Sequence, residues 1–147
     1  MNNCRIRIAQ EEDADSLASC MKAAYLSYEE QLIGERLPPL DSDYLKEIQQ
    51  FPTWVMECKG EIIGGLIMSF DAACASLSNI ALHPDYQGHG LGRDLLEFAI
   101  EKAREKNFKA IRLATHKKLK QNISMYKHLG WRECGSEGSR VFLAKDI

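Results

Sequence analysis

SNIALHPDYQGHGLGRDLLEFAIEKA, residues 78–103, carries three local signals in succession, and the fold follows from how they join. Its opening is the end of CASLSNIALHP, residues 74–84, which reads as a strand, kept extended to its end because the residue before Pro84 disfavours the helical region. Gly88, Gly90 and Gly92 then fall within five residues. Beyond them Leu91, Leu95, Phe98, Ala99 and Ala103 recur at helical spacing, with Glu97, Glu101, Arg104 and Glu105 on the polar side. The stretch therefore predicts a strand, a bare turn and a helix. A helix beginning near Gly90 aims its free amide N–H groups and its positive dipole end at the turn. Without Cβ atoms in the way, a phosphate oxygen can come within hydrogen-bonding distance of those amides, and Arg93 adds a local positive charge.

Working outward, CRIRIA (residues 4–9) alternates with Ile6 and Ile8 on one side and reads as a strand, followed by a helix over EEDADSLASCMKAAYLSYEE. The chain breaks at Pro38 and Pro39 and restarts a short helix with Asp41 and Ser42 as caps. TWVMECKGEIIGGLIMSF gives two strands around a Lys59-Gly60 turn, with a bulge expected at Gly64-Gly65. KAIRLAT is a further strand. NISMYKHL is a short helix capped by Asn122 and stopped by Gly130, and Trp131–Cys134 and Arg140–Ala144 are two closing strands. The order β-α-α-β-β-β-α-β-α-β-β defines an α/β fold with a mixed sheet flanked by helices, since hairpins make antiparallel pairs and helical crossovers parallel ones. Its 147 residues contain no repeat and no long linker, so residues 1–147 are expected to form a single domain.

Composition narrows the function. A formal charge of -2 gives no global basic field, so neither nucleic acid nor an anionic membrane is an expected partner. No apolar run approaches the ~20 residues of a membrane span, and the N-terminal MNNCRIRIAQEEDAD has no secretory pattern, which points to the cytoplasm. The five cysteines (Cys4, Cys20, Cys58, Cys74 and Cys134) are scattered, form no C-x-x-C pair and read as reduced core thiols; no metal is expected.

Known phosphate loops can be tested against the glycine turn. No Lys-Ser/Thr follows it, which fails the P-loop, and Arg93 stands where G-x-G-x-x-G requires glycine. Gln87-Gly88-His89-Gly90-Leu91-Gly92 does match Gln/Arg-x-x-Gly-x-Gly/Ala. That pattern, the strand and helix around it, and the later NISMYKHLGW together resemble the GNAT superfamily of N-acetyltransferases, with specific motifs over Leu77 to Trp131. The resemblance implies a GNAT-like fold and acetyl-coenzyme A as co-substrate. The backbone of Ile80, Ala81 and Leu82 would pair with the pantetheine arm like an added strand. Amides of Gln87, Gly88, His89, Gly90, Leu91, Gly92 and Arg93 would hold the pyrophosphate, Asn122 would bond the cofactor arm, and Tyr126 would be the tyrosine beside the thioester sulfur.

The chemistry is consistent with those residues. An alkylamine of pKa about 10.4 must lose a proton before it attacks, and a phenol of pKa about 10 can protonate a departing thiolate of pKa about 8.5 if held close. Tyr126 fits the acid role; its bland reading is a core aromatic at helical spacing with Ile123 and Leu129. A backbone N–H on the Asn79–Leu82 strand would polarise the carbonyl, provided that the neighbouring strand splays away. The base is open. Many relatives carry a glutamate on the central strand, where this chain offers Ser76, Ser78 and Asn79, so His116, His83 or a water relay must serve; His89 and His128 read as bystanders.

Tyr25, Tyr28 and Tyr44 line the acceptor site or cover the core, and Lys117, Lys118 and Lys120 meet the 3′-phosphate of coenzyme A or are simply solvated. Glu29, Glu30 and Glu35 form an acidic cleft or a wet helix end. The expected activity is transfer of an acetyl group to the primary amine of a small molecule by direct attack in a ternary complex. A protein N-terminus or lysine as acceptor, a non-catalytic acyl-coenzyme A sensor, use of other acyl groups and homodimerisation all stay open.

Overall fold

A computed structural model describes residues 3–28, 32, 39 and 42–147. Its strands are β1 (Cys4–Ile8), β2 (Thr53–Cys58), β3 (Glu61–Phe70), β4 (Ala75–Leu82), β5 (Ala110–His116), β6 (Arg132–Glu137) and β7 (Arg140–Asp146). The helices are α1 (Ala14–Leu26), α2 (Tyr44–Gln50), α3 (Leu91–Glu105) and α4 (Lys120–His128), in the expected order. The strands form a seven-stranded sheet ordered β1-β2-β3-β4-β5-β7-β6, in which only β4 and β5 run parallel. Alternation along the strands divides the core into two layers. Leu66, Met68, Leu77 and Leu82 pack against Leu95, Leu96 and Ala99 of α3, while Val55, Ile67 and Ala81 pack against Leu17, Met21 and Ala24 of α1. No helix among the described residues is long and apolar enough to cross a membrane.

Several local expectations are corrected. The β2–β3 bulge falls at Ile63, just before the glycine pair: Met56 opposes Gly64, and Glu57 opposes Ile62. The glycines serve close approach instead. A Cβ on Gly65 would stand 2.5 Å from Leu17 Cδ1 and 3.0 Å from Met21 Cε, so α1 lies directly on that bare backbone. The short helix α2 is capped by Asp43, whose carboxylate accepts from the Lys46 amide at 3.3 Å, rather than by Asp41 or Ser42. Asp41, Pro38 and the acidic residues Glu29, Glu30 and Glu35 lie outside the described residues. β6 runs on to Glu137, past the expected Cys134, because it is exposed on both faces and offers no alternation to mark its end, and β7 runs on to Asp146.

Cys4 and Cys58 are not free thiols: they oppose one another on β1 and β2 and are joined as a disulfide across a sequence separation of 54. Pairing of the edge strand brought together two cysteines whose spacing carries no signal. A reducing compartment would open the bond. Reduction is expected to lower the unfolding free energy by about 2–4 kcal/mol, read as a lower urea midpoint in dithiothreitol; an unchanged midpoint would count against a staple at this edge.

Candidate active site

The site begins where β4 leaves β5. The two strands pair only over Ala75–Leu77 and Ile111–Leu113, and above that β4 is held on its β3 side alone. A bulge at Ser78 marks the divergence, since Ile67 opposes Asn79 while Met68 opposes Leu77. Beyond the bulge the register runs unbroken to Leu82 opposite Gly64, and the His83 amide bonds back to Ile63 O at 2.7 Å. Antiparallel rungs alternate, so Asn79, Ala81 and His83 turn their backbone groups toward β3, and Ile80 and Leu82 turn theirs into the open cleft. Both carbonyls of that edge already have donors within the chain. The Tyr25 hydroxyl donates to Ile80 O at 3.0 Å, and Gln87 Nε2 donates to Leu82 O at 3.2 Å. Among the described residues nothing accepts from the N–H of Ile80 or of Leu82, and these are the donors that the cleft receives.

At the end of β4 the chain makes a 3-10 turn over Pro84–Tyr86 and passes through Gly88 (φ +86) and Gly90 (φ +82) into α3. Gly90 is the N-cap, with no side chain to satisfy the helix, and the first bond of α3 is Asp94 N–H to Gly90 O at 3.1 Å. Among the described residues no backbone carbonyl accepts from the amides of Gly88 to Arg93. Positive φ accounts for glycine at 88 and 90, but not at 92. Gly92 has no positive φ, and a Cβ built there meets nothing within 4 Å. Neither its conformation nor packing among the described residues calls for glycine at this position. The Arg93 guanidinium leans toward Glu97, 3.8 Å away, so its charge is shared.

Tyr126 is placed by the way α4 ends. Gly130 (φ +95) follows the C-cap Leu129; its N–H bonds to Lys127 O at 3.0 Å, and the Trp131 N–H bonds to Tyr126 O at 3.0 Å. This pair of bonds brings Trp131 onto the Tyr126 ring, edge to face at 5.6 Å between centroids. Thus Tyr-x-x-Leu-Gly-Trp is a helix stop that locks the tyrosine ring. The ring is buried, yet among the described residues nothing hydrogen-bonds its hydroxyl. Among the described residues no fully buried polar side-chain atom lacks a partner, so this hydroxyl retains an opening. Burial, and then the nearby Tyr28 phenol, hold Tyr126 well above an ordinary phenol, so it stays protonated.

Asn122 does not cap α4, which begins one turn earlier at Lys120 with Leu119 as N-cap, because the turn from His116 to Leu119 already starts the winding. Asn122 is half-buried in the first turn. The candidate bases are engaged elsewhere. His83 Nδ1 accepts from the Asp85 amide and His116 Nδ1 from the Lys118 amide, each at 3.1 Å, so in the neutral ring the proton sits on Nε2 and the lone pair is occupied. The oxygen of Asn79 lies 3.2 Å from the Tyr25 hydroxyl. Lys117, Lys118 and Lys120 stand exposed around the β5–α4 turn, and His89 and His128 are exposed. Tyr44 is a core residue that bonds Pro39 O, while Tyr25 and Tyr28 pack edge to face near the cleft. Sequence reasoning missed the Tyr25 and Gln87 bonds to β4; nothing in their spacing announces them.

Residues 17–131 match the profile of the "Acetyltransferase (GNAT) family", and the chain belongs to that family. It is 35% identical over 82 residues to "Uncharacterized N-acetyltransferase YjgM" of Escherichia coli strain K12, covering 53% of this chain and 49% of that one. It is 39% identical over 59 residues to the [Ribosomal protein bS18]-alanine N-acetyltransferase of the same strain, covering 40% of each. The matched stretches thus span half or less of the curated relatives. In fold, it is similar to the PaiA N-acetyltransferase of Thermoplasma acidophilum, solved in complex with coenzyme A, at 20% identity and a TM-score of 0.86 over 98% of this chain and 99% of that one.

Proposed function

We propose that this chain is an acetyl-coenzyme A-dependent N-acetyltransferase that acetylates the primary amine of a small molecule by direct attack in a ternary complex. The observation that carries the reading is Gly92, a glycine with no reason inside the chain, at the mouth of a helix N-terminus whose amides are free. A pyrophosphate supplies the reason. Amides from Gly88 to Arg93 hold it, and the Ile80 and Leu82 N–H groups meet carbonyl oxygens of the pantetheine arm and thioester. Because the carbonyls of that edge are already bonded, the arm is gripped chiefly through its acceptors rather than as a full added strand. Tyr126 gives its proton to the leaving thiolate. The amine loses its proton to water, since neither histidine presents a free lone pair.

A protein N-terminus is the second reading, favoured by the 39% identical stretch shared with the ribosomal-protein acetyltransferase. Thiol release from acetyl-coenzyme A, measured across small primary amines and N-terminal peptides, separates the two. Faster turnover with a small amine is expected. Turnover with peptides alone would move the acceptor to protein, and saturable binding without turnover on any amine would leave a sensor.

A further inference from the structure

Above the Ser78 bulge none of the described strands pairs with β4 on its cleft side, and a strand supported on one edge only can relax into the gap. Something must hold it. α1 lies hard against β3, where the absent Cβ of Gly65 admits Leu17 and Met21, and its last turn carries Tyr25 toward the open stretch of β4. The Tyr25 hydroxyl donates to Ile80 O at 3.0 Å, with Asn79 Oδ1 a second acceptor at 3.2 Å. Its ring packs edge to face on Tyr28 at 5.9 Å, and both rings pack against the buried pair Leu32 and Leu119, of which Leu119 lies on the β5–α4 turn. The strut therefore runs from the open edge of β4 to the apolar cluster that includes Leu119.

We propose that Tyr25 is a positioning residue: it caps the Ile80 carbonyl and pins the open edge of β4, so that this edge meets the thioester oxygen with N–H groups alone. The proposal rests on the acetyltransferase reading. An uncapped Ile80 carbonyl would face the thioester oxygen with like partial charge, or would recruit water or an N–H of the pantetheine arm and shift the register of the bound arm. Burial, followed by the neighbouring phenols of Tyr126, Tyr28 and Tyr44, keeps Tyr25 protonated and hence a donor throughout the neutral range.

Tyr25→Phe tests it, since the ring and its packing remain while the donor is lost. Three quantities are read on the full chain: coenzyme A affinity by calorimetry, single-turnover acetyl transfer, and the infrared carbonyl band of bound acetyl-coenzyme A without amine. Affinity should stay within about threefold, because the pyrophosphate turn is untouched. Transfer should slow by ~10-fold or more, and the carbonyl band, displaced from its solution frequency in the wild-type protein, should move back toward it. A core aromatic with no positioning role would leave the band where it was. If Tyr25→Phe does not fold, Tyr25→Leu also lacks the donor and carries the same readout. A folded variant that keeps the wild-type band and rate overturns the Tyr25 assignment alone. A wild-type protein that shows neither a displaced band nor turnover overturns the acetyltransferase reading along with it.

Discussion

Tyr126→Phe is expected to slow acetyl transfer by ~10² or more while leaving coenzyme A affinity nearly unchanged. The two effects separate because the ring and the hydroxyl have different tasks. The ring is held by Trp131 and the Gly130 helix stop, all of which phenylalanine retains. Only the proton is lost. Donors with a less basic leaving thiolate should recover part of the rate in the variant, since such a thiolate departs without an acid. The pH profile supplies a second check with a definite sign. Raising pH frees the amine, so the rate climbs; a phenol held above its usual range by burial does not titrate near pH 10, so no fall is expected there from Tyr126. Wild-type rates in Tyr126→Phe under single-turnover conditions would return the residue to the core and make solvent the proton source.

Replacing Gly92 should push binding and stability in opposite directions. Gly90 is the less informative site, because at φ +82 any side chain is strained whatever lies in front of it. Gly92 carries no such strain, and its Cβ would meet open space. Gly92→Ala therefore gains helix propensity and should stabilise the free protein, by up to about 1 kcal/mol. The same methyl group stands where the phosphate approaches the amides. Loss of one charge-assisted bond, about 1.5–3 kcal/mol, weakens coenzyme A by ~10- to 100-fold. Gly92→Val should lie at the upper end. The checks are chemical denaturation of the free protein and calorimetry with coenzyme A. A variant that binds as tightly as wild type would remove the pyrophosphate from this turn.

The turn and its helix were legible because their signals are local: glycine spacing, Pro84 and an apolar stripe of period 3.6 all lie within residues 78–103. The place of Tyr126 on a short helix stopped by Gly130 was legible for the same reason, since Gly130 and Trp131 sit close beside it; its role as the acid is our proposal. The splay was not. It depends on a one-residue bulge at Ser78 and on where β4 parts from β5, and registers between strands leave no trace in either strand's own pattern. Gly64 and Gly65 signalled something unusual in β3, but the cause was the approach of α1 rather than a bulge at the pair. Cys4–Cys58 and Tyr25–Ile80 are long-range contacts between residues 54 and 55 positions apart, visible only once the sheet is assembled. The α4 cap was misplaced because the turn at His116 winds the helix before Asn122, and a good capping residue inside a first turn looks much like one at its start.

The most direct measurement is a titration of the 15N-labelled chain with coenzyme A, followed amide by amide. The largest shifts are expected at Gly88 to Arg93, with a second group at Ile80 and Leu82 and little change along β6 and β7. Shifts confined to other surfaces, or none at saturating coenzyme A, would contradict that expectation.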